Sequence, residues 1–229
     1  MTEIKLCGLT RDQDIEIANK LKPEYIGFVF WDRSSRNVSA MQAARLKGKL
    51  DPEIKTVGVF VNAPVELVIS LHNVGIIDVA QLHGNENEDY IKKLHDADMT
   101  VIKAFKMKKA DENEHEEIFN KEEIRETSEK TKNSGYNSAD NIISEAIESS
   151  ADYIMFDPGK GEGATFNWQL IKDVEREFFL AGGLTPENVG NAVETVHPFA
   201  VDVSSGIEND GHKDEAKMTK FVENVREKS

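Results

Sequence analysis

The sequence has one cysteine, Cys7, and no apolar run near the roughly 18 residues that a membrane-spanning helix needs. A single cysteine cannot form an internal disulfide, which excludes a disulfide scaffold and favours a reducing compartment. Positive charge is also scarce, because 28 Lys and Arg stand against 42 Asp and Glu, a net charge of −14. That balance argues against nucleic acid or an anionic membrane as the main partner. The first residues show no charged-then-apolar leader, so we expect a soluble, cytoplasmic protein.

Short apolar runs recur along the 229 residues, and each is followed by a helix-start signal. Eight runs are predicted as strands, at residues 4–7, 25–30, 56–61, 76–82, 101–107, 153–156, 178–184 and 199–203. The first helix is expected to begin at a capping box formed by Thr10 and Gln13. Eight βα units in a chain of this length predict an α/β fold, a single-domain (β/α)8 TIM barrel over residues 1–229. An open, doubly wound sheet is the alternative.

Residues 108–138 interrupt this rhythm after the fifth strand. They include nine acidic, six basic and only five apolar residues. So little apolar surface cannot cover a core, so we interpret the segment as an acidic insertion within the barrel domain, partly helical or disordered. A solvated surface excursion is the simpler interpretation. A lid is the alternative, because the loops after the strands carry the active end of such barrels.

Polar residues and glycines follow the predicted strands, whose carboxyl ends converge on one face in a parallel barrel. They are Cys7, Arg36, Gln81, His83, Asp157, Asp202, Gly182, Gly183, Ser205 and Gly206. Glycines after the seventh and eighth strands let backbone N–H groups approach an oxyanion closely, which favours a phosphorylated small molecule as the partner. Simple chain reversal is the other interpretation of these glycines.

Cys7 and Asp157 are the candidates for acid–base chemistry. A thiol needs a lowered pKa to act as a base, whereas a lone cysteine ending a buried strand can also be a small apolar residue. Asp157 precedes Pro158, and turn formation is its alternative role. Arg36 carries a fork suited to a substrate carboxylate, or else lies on the surface. The six histidines show no metal-binding spacing, so we expect no metal site.

An ordered set of segments resembles the phosphoribosylanthranilate isomerase family. The segments are IKLCGLT from Ile4, GFVF from Gly27 with SSR ending at Arg36, VGVFVN from Val57, QLHG from Gln81, FD at Phe156, GEG from Gly161 with TFNW from Thr165, AGGL from Ala181, and VDVSSGIE from Val201. The resemblance runs from end to end and spares only the acidic insertion. AGGL alone is common in phosphate-binding barrels, but the ordered set is specific.

The resemblance implies a cofactor-free Amadori rearrangement of N-(5′-phosphoribosyl)anthranilate to 1-(2-carboxyphenylamino)-1-deoxyribulose 5-phosphate, in tryptophan biosynthesis. It implies Cys7 as general base, Asp157 as general acid and Arg36 as the group that holds the anthranilate carboxylate. The other substrate-binding residues are expected to be Gln81, His83 and Asp202, with Gly182, Gly183, Ser205 and Gly206 at the phosphate.

Three residues depart from the family pattern, Glu162, Ala164 and Asn167, and a carboxylate at Glu162 would repel an anionic substrate. Two other functions remain open. One is a catalytically inactive barrel that binds a phosphorylated metabolite, and the other is a related aminoaldose isomerase, in which an Asp would be expected in place of Cys7. The sequence leaves the oligomeric state open.

Overall fold

The computed structural model describes residues 1–107, 139–158 and 166–229. Eight parallel strands are hydrogen-bonded in sequence order, and β8 pairs with β1 to close a barrel. The strands are β1 Glu3–Cys7, β2 Tyr25–Val29, β3 Lys55–Phe60, β4 Val79–Leu82, β5 Thr100–Lys106, β6 Tyr153–Asp157, β7 Phe178–Leu180 and β8 Ala200–Val203. The predicted closed barrel is confirmed, and the open sheet is excluded.

Helices cover the outside of the barrel. They are α1 Asp12–Leu21, α2 Ala40–Lys47, α3 Val65–Asn73, α4 Glu88–His95, α5 Ala139–Glu148, α6 Val189–Val196 and α7 Glu215–Lys228. Between β6 and β7, a 3₁₀ helix at Trp168–Ile171 begins at Asn167, whose side chain accepts a hydrogen bond from the Gln169 backbone. Asn167 therefore serves as a cap despite departing from the family pattern. Within the described ranges, no helix has the length and apolarity needed to cross a membrane.

The predicted capping pair of Thr10 and Gln13 at the start of α1 is wrong. Asp14 performs that function: its Oδ2 accepts hydrogen bonds from the backbone N–H groups of Thr10 and Arg11, each at 2.9 Å. The same carboxylate also pairs with the Arg11 guanidinium, at 2.7 Å. An ionised carboxylate accepts several hydrogen bonds at once, so Asp14 satisfies the two backbone N–H groups that directly precede the helix.

Alternate strand residues face opposite sides of the sheet, which gives the barrel two apolar layers. The larger lies between strands and helices, and the smaller fills the barrel and includes Val79, Met155 and Ala200. Gln81, Asp157 and Asp202 each stand two residues after one of these three inner residues. The alternation therefore points these polar side chains toward the barrel axis, above its apolar filling.

A two-stranded hairpin follows β8 and was not predicted. Its strands, β9 Glu208–Asn209 and β10 His212–Lys213, pair antiparallel so that Glu208 lies opposite Lys213. The turn is Asp210-Gly211, with φ of 48° and 77°. Positive φ at both positions is the backbone that two-residue hairpins favour, and Asp-Gly is among the pairs that adopt it most readily.

Candidate active site

The carboxyl end of the barrel collects the predicted polar residues. Cys7 is the last residue of β1, and Asp157 is the last residue of β6. Gln81 and Asp202 each stand one residue before the end of β4 and β8. Because the eight strands run parallel, all four side chains belong to one face of the barrel.

Cys7 lies beside a buried ion pair. The Lys5 Nζ is 2.9 Å from the Asp202 Oδ1, across directly paired positions of β1 and β8. The Lys5 ammonium also acts on the Cys7 thiol, as the main charge that favours the thiolate. A glycine on β2 leaves the space for this arrangement, since a Cβ on Gly27 would lie 2.7 Å from the Cys7 Sγ and 3.2 Å from the Lys5 Nζ. A glycine at position 27 therefore leaves room for both the thiol and the ammonium.

Burial raises the pKa of the Cys7 thiol above its usual value, because a dry surrounding disfavours the thiolate. The charges of Lys5 and Lys213 act in the lowering direction, and Asp202 adds to the rise. The lowered pKa that a base role requires is therefore not present in the free protein. Desolvation of the fully enclosed sulfur outweighs its cationic neighbours, and the thiol form predominates at neutral pH.

Arg36 is joined to the hairpin by a bidentate ion pair. Its Nε donates to the Glu208 Oε1 and its Nη2 to the Glu208 Oε2, both at 2.6 Å. Lys213 donates to the same Oε1 at 2.6 Å. Although partial burial opposes it, hydrogen bonding by Arg36 and attraction to Lys213 hold the pKa of the Glu208 carboxyl below its usual range. The fork predicted to receive a substrate carboxylate is thus fixed along one edge, and Glu208 leaves its Nη1 unused.

His83 links Gln81 with Asp157. The Gln81 Nε2 donates to the His83 Nδ1 at 3.2 Å, and the His83 Nε2 lies 3.8 Å from the Asp157 Oδ2. Burial lowers the pKa of His83, so the ring is neutral near pH 7, with its proton on Nε2 toward Asp157. Gln81 is only 1% exposed, and its Oε1 has no hydrogen-bond partner among the described residues. Gln81 thus sits beneath His83 and orients its ring.

A small cavity joins the predicted phosphate residues to the two carboxylates. It measures about 80 Å³ and is lined by Asp157, Asp202 and residues 181–184 and 203–206. Gly182 and Gly183 have φ of 83° and 65°, which favours glycine at both positions. A Cβ on Gly206 would lie 1.9 Å from the Leu184 carbonyl oxygen. The two loops therefore approach each other as closely as only glycine allows.

Three residues around the site were missed by the sequence analysis: Lys5, Glu208 and Lys213. A signal existed for Lys5, because it stands two residues before Cys7 and strand alternation places both on the same side. No periodic pattern marks the hairpin that carries Glu208 and Lys213, since its strands have two residues each. The expectations for Glu162, Ala164 and the acidic insertion 108–138 concern residues outside the described ranges.

The fold and the site define the class as a (β/α)8-barrel enzyme with its reactive groups at the carboxyl ends of the strands. Over the described residues, no group of three or more His, Cys, Asp or Glu is arranged to hold a metal ion. The family model of N-(5′-phosphoribosyl)anthranilate (PRA) isomerase matches residues 4–127 and 120–224. The chain belongs to this family.

Relatives of known sequence and structure agree with that assignment. The N-(5′-phosphoribosyl)anthranilate isomerase of Thermoanaerobacter sp. (strain X514) is 42% identical over 228 residues, which cover 99% of this chain and 98% of the relative. The enzyme of the same description from Clostridium acetobutylicum is 41% identical over 230 residues, covering 99% and 98%. The crystal structure of the Thermotoga maritima enzyme has a TM-score of 0.79 at 31% identity, covering 99% of this chain and 100% of that one.

A further solved structure bears on the site. It is a phosphoribosyl anthranilate isomerase in complex with reduced 1-(o-carboxyphenylamino)-1-deoxyribulose 5-phosphate. Its TM-score to this chain is 0.77 at 30% identity, with 99% of this chain and 100% of that chain covered. That relative therefore holds a phosphorylated small molecule.

Proposed function

We propose that this chain isomerises N-(5′-phosphoribosyl)anthranilate to 1-(2-carboxyphenylamino)-1-deoxyribulose 5-phosphate, with Cys7 as base and Asp157 as acid. The observation that carries the proposal is the shared end of the barrel: Cys7 ends β1, Asp157 ends β6, and Asp157 lines the same small cavity as the glycine loops. A thiol, a carboxyl and an anion cradle are the groups that this reaction needs.

Ring opening is the step we assign to Asp157. The furanose C–O bond breaks as its oxygen gains a proton, and the Asp157 carboxyl supplies that proton. The product of this step is a protonated imine between the sugar and the anthranilate nitrogen. His83 stands 3.8 Å from Asp157 and is neutral, so it places a donor beside the carboxyl without adding a full charge.

Removal of the hydrogen on the second sugar carbon is the step we assign to Cys7. The positive imine acidifies that hydrogen and also stabilises a thiolate next to it, which offsets the effect of burial on the thiol. The thiol first releases its own proton to solvent. The resulting thiolate takes the proton from the second sugar carbon, the electron pair moves to form an enolamine, and the enolamine tautomerises to the ketone. The buried thiol therefore becomes a base when the cationic intermediate forms.

Substrate binding is assigned to the surrounding groups. Arg36 receives the anthranilate carboxylate on the side of its guanidinium that Glu208 does not use. The loops containing Gly182, Gly183, Ser205 and Gly206 receive the phosphate through backbone N–H groups. Asp202 and His83 line the sugar, while Gln81 acts through His83 because it is almost fully buried.

Steady-state turnover of phosphoribosylanthranilate, with chelator present, tests the proposal. We expect activity in the wild type and a loss of about 10²-fold or more in kcat for Cys7→Ala and for Asp157→Asn, with ligand binding retained. Full activity in either variant would contradict that residue's role. A wild type that binds the ligand without converting it would favour the inactive-barrel alternative.

A further inference from the structure

We propose that Lys5 and Lys213 are positioning residues that keep the proton of the buried Cys7 thiol removable. Both lysines stand outside the predicted catalytic pair, and neither is needed to hold substrate in the proposed function. The inference rests on the proposed function only in that the thiolate then serves as the base. The charge arrangement itself can be measured without substrate.

Lys5 acts from below the thiol, on the same strand. Its side chain is fully buried, and its ammonium pairs with Asp202 and lies beside the Cys7 sulfur. A lysine enclosed in a barrel loses its hydration, so it remains charged only if partners replace the water. Despite burial, attraction to Asp202, and to the Cys7 sulfur once it is ionised, raises the pKa of Lys5 above its usual value. Lys5 is therefore a fixed cation beside the sulfur.

Lys213 acts from the hairpin. Its side chain is 2% exposed, and its Nζ donates to the Ser204 carbonyl oxygen at 2.9 Å and to the Ser204 Oγ at 3.3 Å. The Ser204 hydroxyl donates in turn to the Cys7 carbonyl oxygen at 3.2 Å. Lys213 is thus tied to the backbone of Cys7 through one side chain, and Glu208 holds its ammonium at 2.6 Å.

Charge balance explains why two lysines are built in here. Five charged groups surround the thiol or pair with these lysines. Three are cations, Lys5, Lys213 and Arg36, and two are carboxylates, Asp202 and Glu208. Their sum is one positive charge, and it attracts an additional anion within a poorly solvated region. The thiolate of Cys7 is the anion that this chain itself can supply.

The groups on the other side of the site do not cancel this net positive charge. His83 is neutral because burial lowers its pKa, and β2 contributes Gly27, which carries no charge. Asp157 stands on β6, three strands away from β1 around the barrel, and it is not among the charges that act most on the thiol. The two lysines therefore counter the desolvation that would otherwise hold the proton on the sulfur.

Titration of the ultraviolet absorbance of the thiolate tests the inference. Cys7 is the only cysteine of the chain, so the signal belongs to one group once a Cys7→Ser titration is subtracted. We expect Lys213→Met to raise the pKa of Cys7 and Lys213→Arg to keep it nearer the wild type. Glu208 stays paired with Arg36 in both variants, which favours folding.

A matched control is Lys47→Met. Lys47 also pairs with a carboxylate, Asp78, at 2.6 Å, but near the amino ends of β3 and β4. Its loss changes the net charge of the chain by the same amount without touching the thiol's surroundings. We expect no movement of the Cys7 titration. Lys5→Met should raise the thiol's pKa further than Lys213→Met, since the charge of Lys5 acts more strongly on the thiol than that of Lys213.

The pH profile of kcat/KM gives the second readout. In Lys213→Met the alkaline shift of the basic group should lower kcat/KM at neutral pH by about tenfold and leave high-pH activity less affected. An unmoved titration in Lys213→Met, or an equal movement in Lys47→Met, would overturn the inference. If Lys5→Met does not fold, the comparison of Lys213→Met with Lys213→Arg tests the inference. If the lysine variants shift the Cys7 titration but Cys7→Ala retains full turnover, the role of Cys7 as base is contradicted and the effect of the lysines on the thiol is still supported.

Discussion

Gly182→Ala tests whether the loop after β7 is shaped for close approach. Gly182 has a φ of 83°, and a Cβ there would lie 2.0 Å from the Pro158 Cδ. Gly75 has a similar φ of 73°, but no atom lies within 4 Å of its added Cβ. Gly75→Ala thus introduces the backbone strain alone, whereas Gly182→Ala introduces strain and a clash.

The magnitudes follow from these two contributions. An alanine at such a φ costs about 1–2 kcal/mol, and overpacking adds about 1–3 kcal/mol. We expect Gly75→Ala to lower the free energy of unfolding by the first amount and Gly182→Ala by about 2–5 kcal/mol. Pro158 follows Asp157 directly, so the clash also moves the proposed acid. We therefore expect Gly182→Ala to lower kcat/KM about tenfold or more. Each hydrogen bond between this loop and the charged phosphate contributes about 1.5–3 kcal/mol, and the loss of one is enough for that effect.

Chemical denaturation and steady-state kinetics of the two variants measure both effects. Gly75→Ala serves as the control for strain, and its kinetics should equal those of the wild type. Equal unfolding free energies and equal kcat/KM in Gly182→Ala and Gly75→Ala would refute the reasoning, because they would show that the Pro158 contact imposes nothing on the loop or on the site.

Three further predictions concern charged groups. Arg36→Lys keeps the charge but loses the fork, so KM should rise about tenfold while kcat changes less; an unchanged KM would speak against carboxylate binding there. The folded-state pKa of Glu208 lies below its ordinary 4.5, so its ion pairs stabilise the fold above that pH and are lost as the pH falls through the folded value. Glu208→Gln should therefore flatten the acid limb of unfolding free energy against pH, and an unaltered limb would contradict this. Lys103 pairs with Glu86, whose side chain is 1% exposed, at 3.0 Å, so Lys103→Met should cost about 3–5 kcal/mol of stability without changing kcat. Partial recovery in Lys103→Met/Glu86→Gln would identify the stranded carboxylate as the cause, and no recovery would exclude it.

The barrel could be predicted because each strand leaves a local pattern of apolar residues. Boundaries were less accurate where apolar residues continue past a strand. The run at 178–184 continues to Leu184, but β7 ends at Leu180 and the following glycines turn toward the cavity. The run at 76–82 begins with Ile76, yet β4 begins only at Val79. Apolar residues indicate burial and not strand structure, so buried loop residues next to a strand are predicted as part of it.

The shared placement of Cys7, Asp157 and Asp202 could be predicted, because each stands at or next to the carboxyl end of a strand. Topology alone brings such residues to one face. Pairings between distant side chains were not predictable, because Glu208 meets Arg36 only through a hairpin of two-residue strands. The direction of the pKa shift of Cys7 was not predictable either, since it depends on how deeply the fold buries the sulfur.

A crystal structure of this chain with a reduced, unreactive product analogue tests the central claim most directly. The account predicts the Cys7 sulfur within about 3–3.5 Å of the second sugar carbon, and an Asp157 oxygen at a similar distance from the oxygen released by ring opening. It also predicts the phosphate against the Gly182 and Gly206 loops. An analogue bound with either group beyond reach of the sugar would contradict the account.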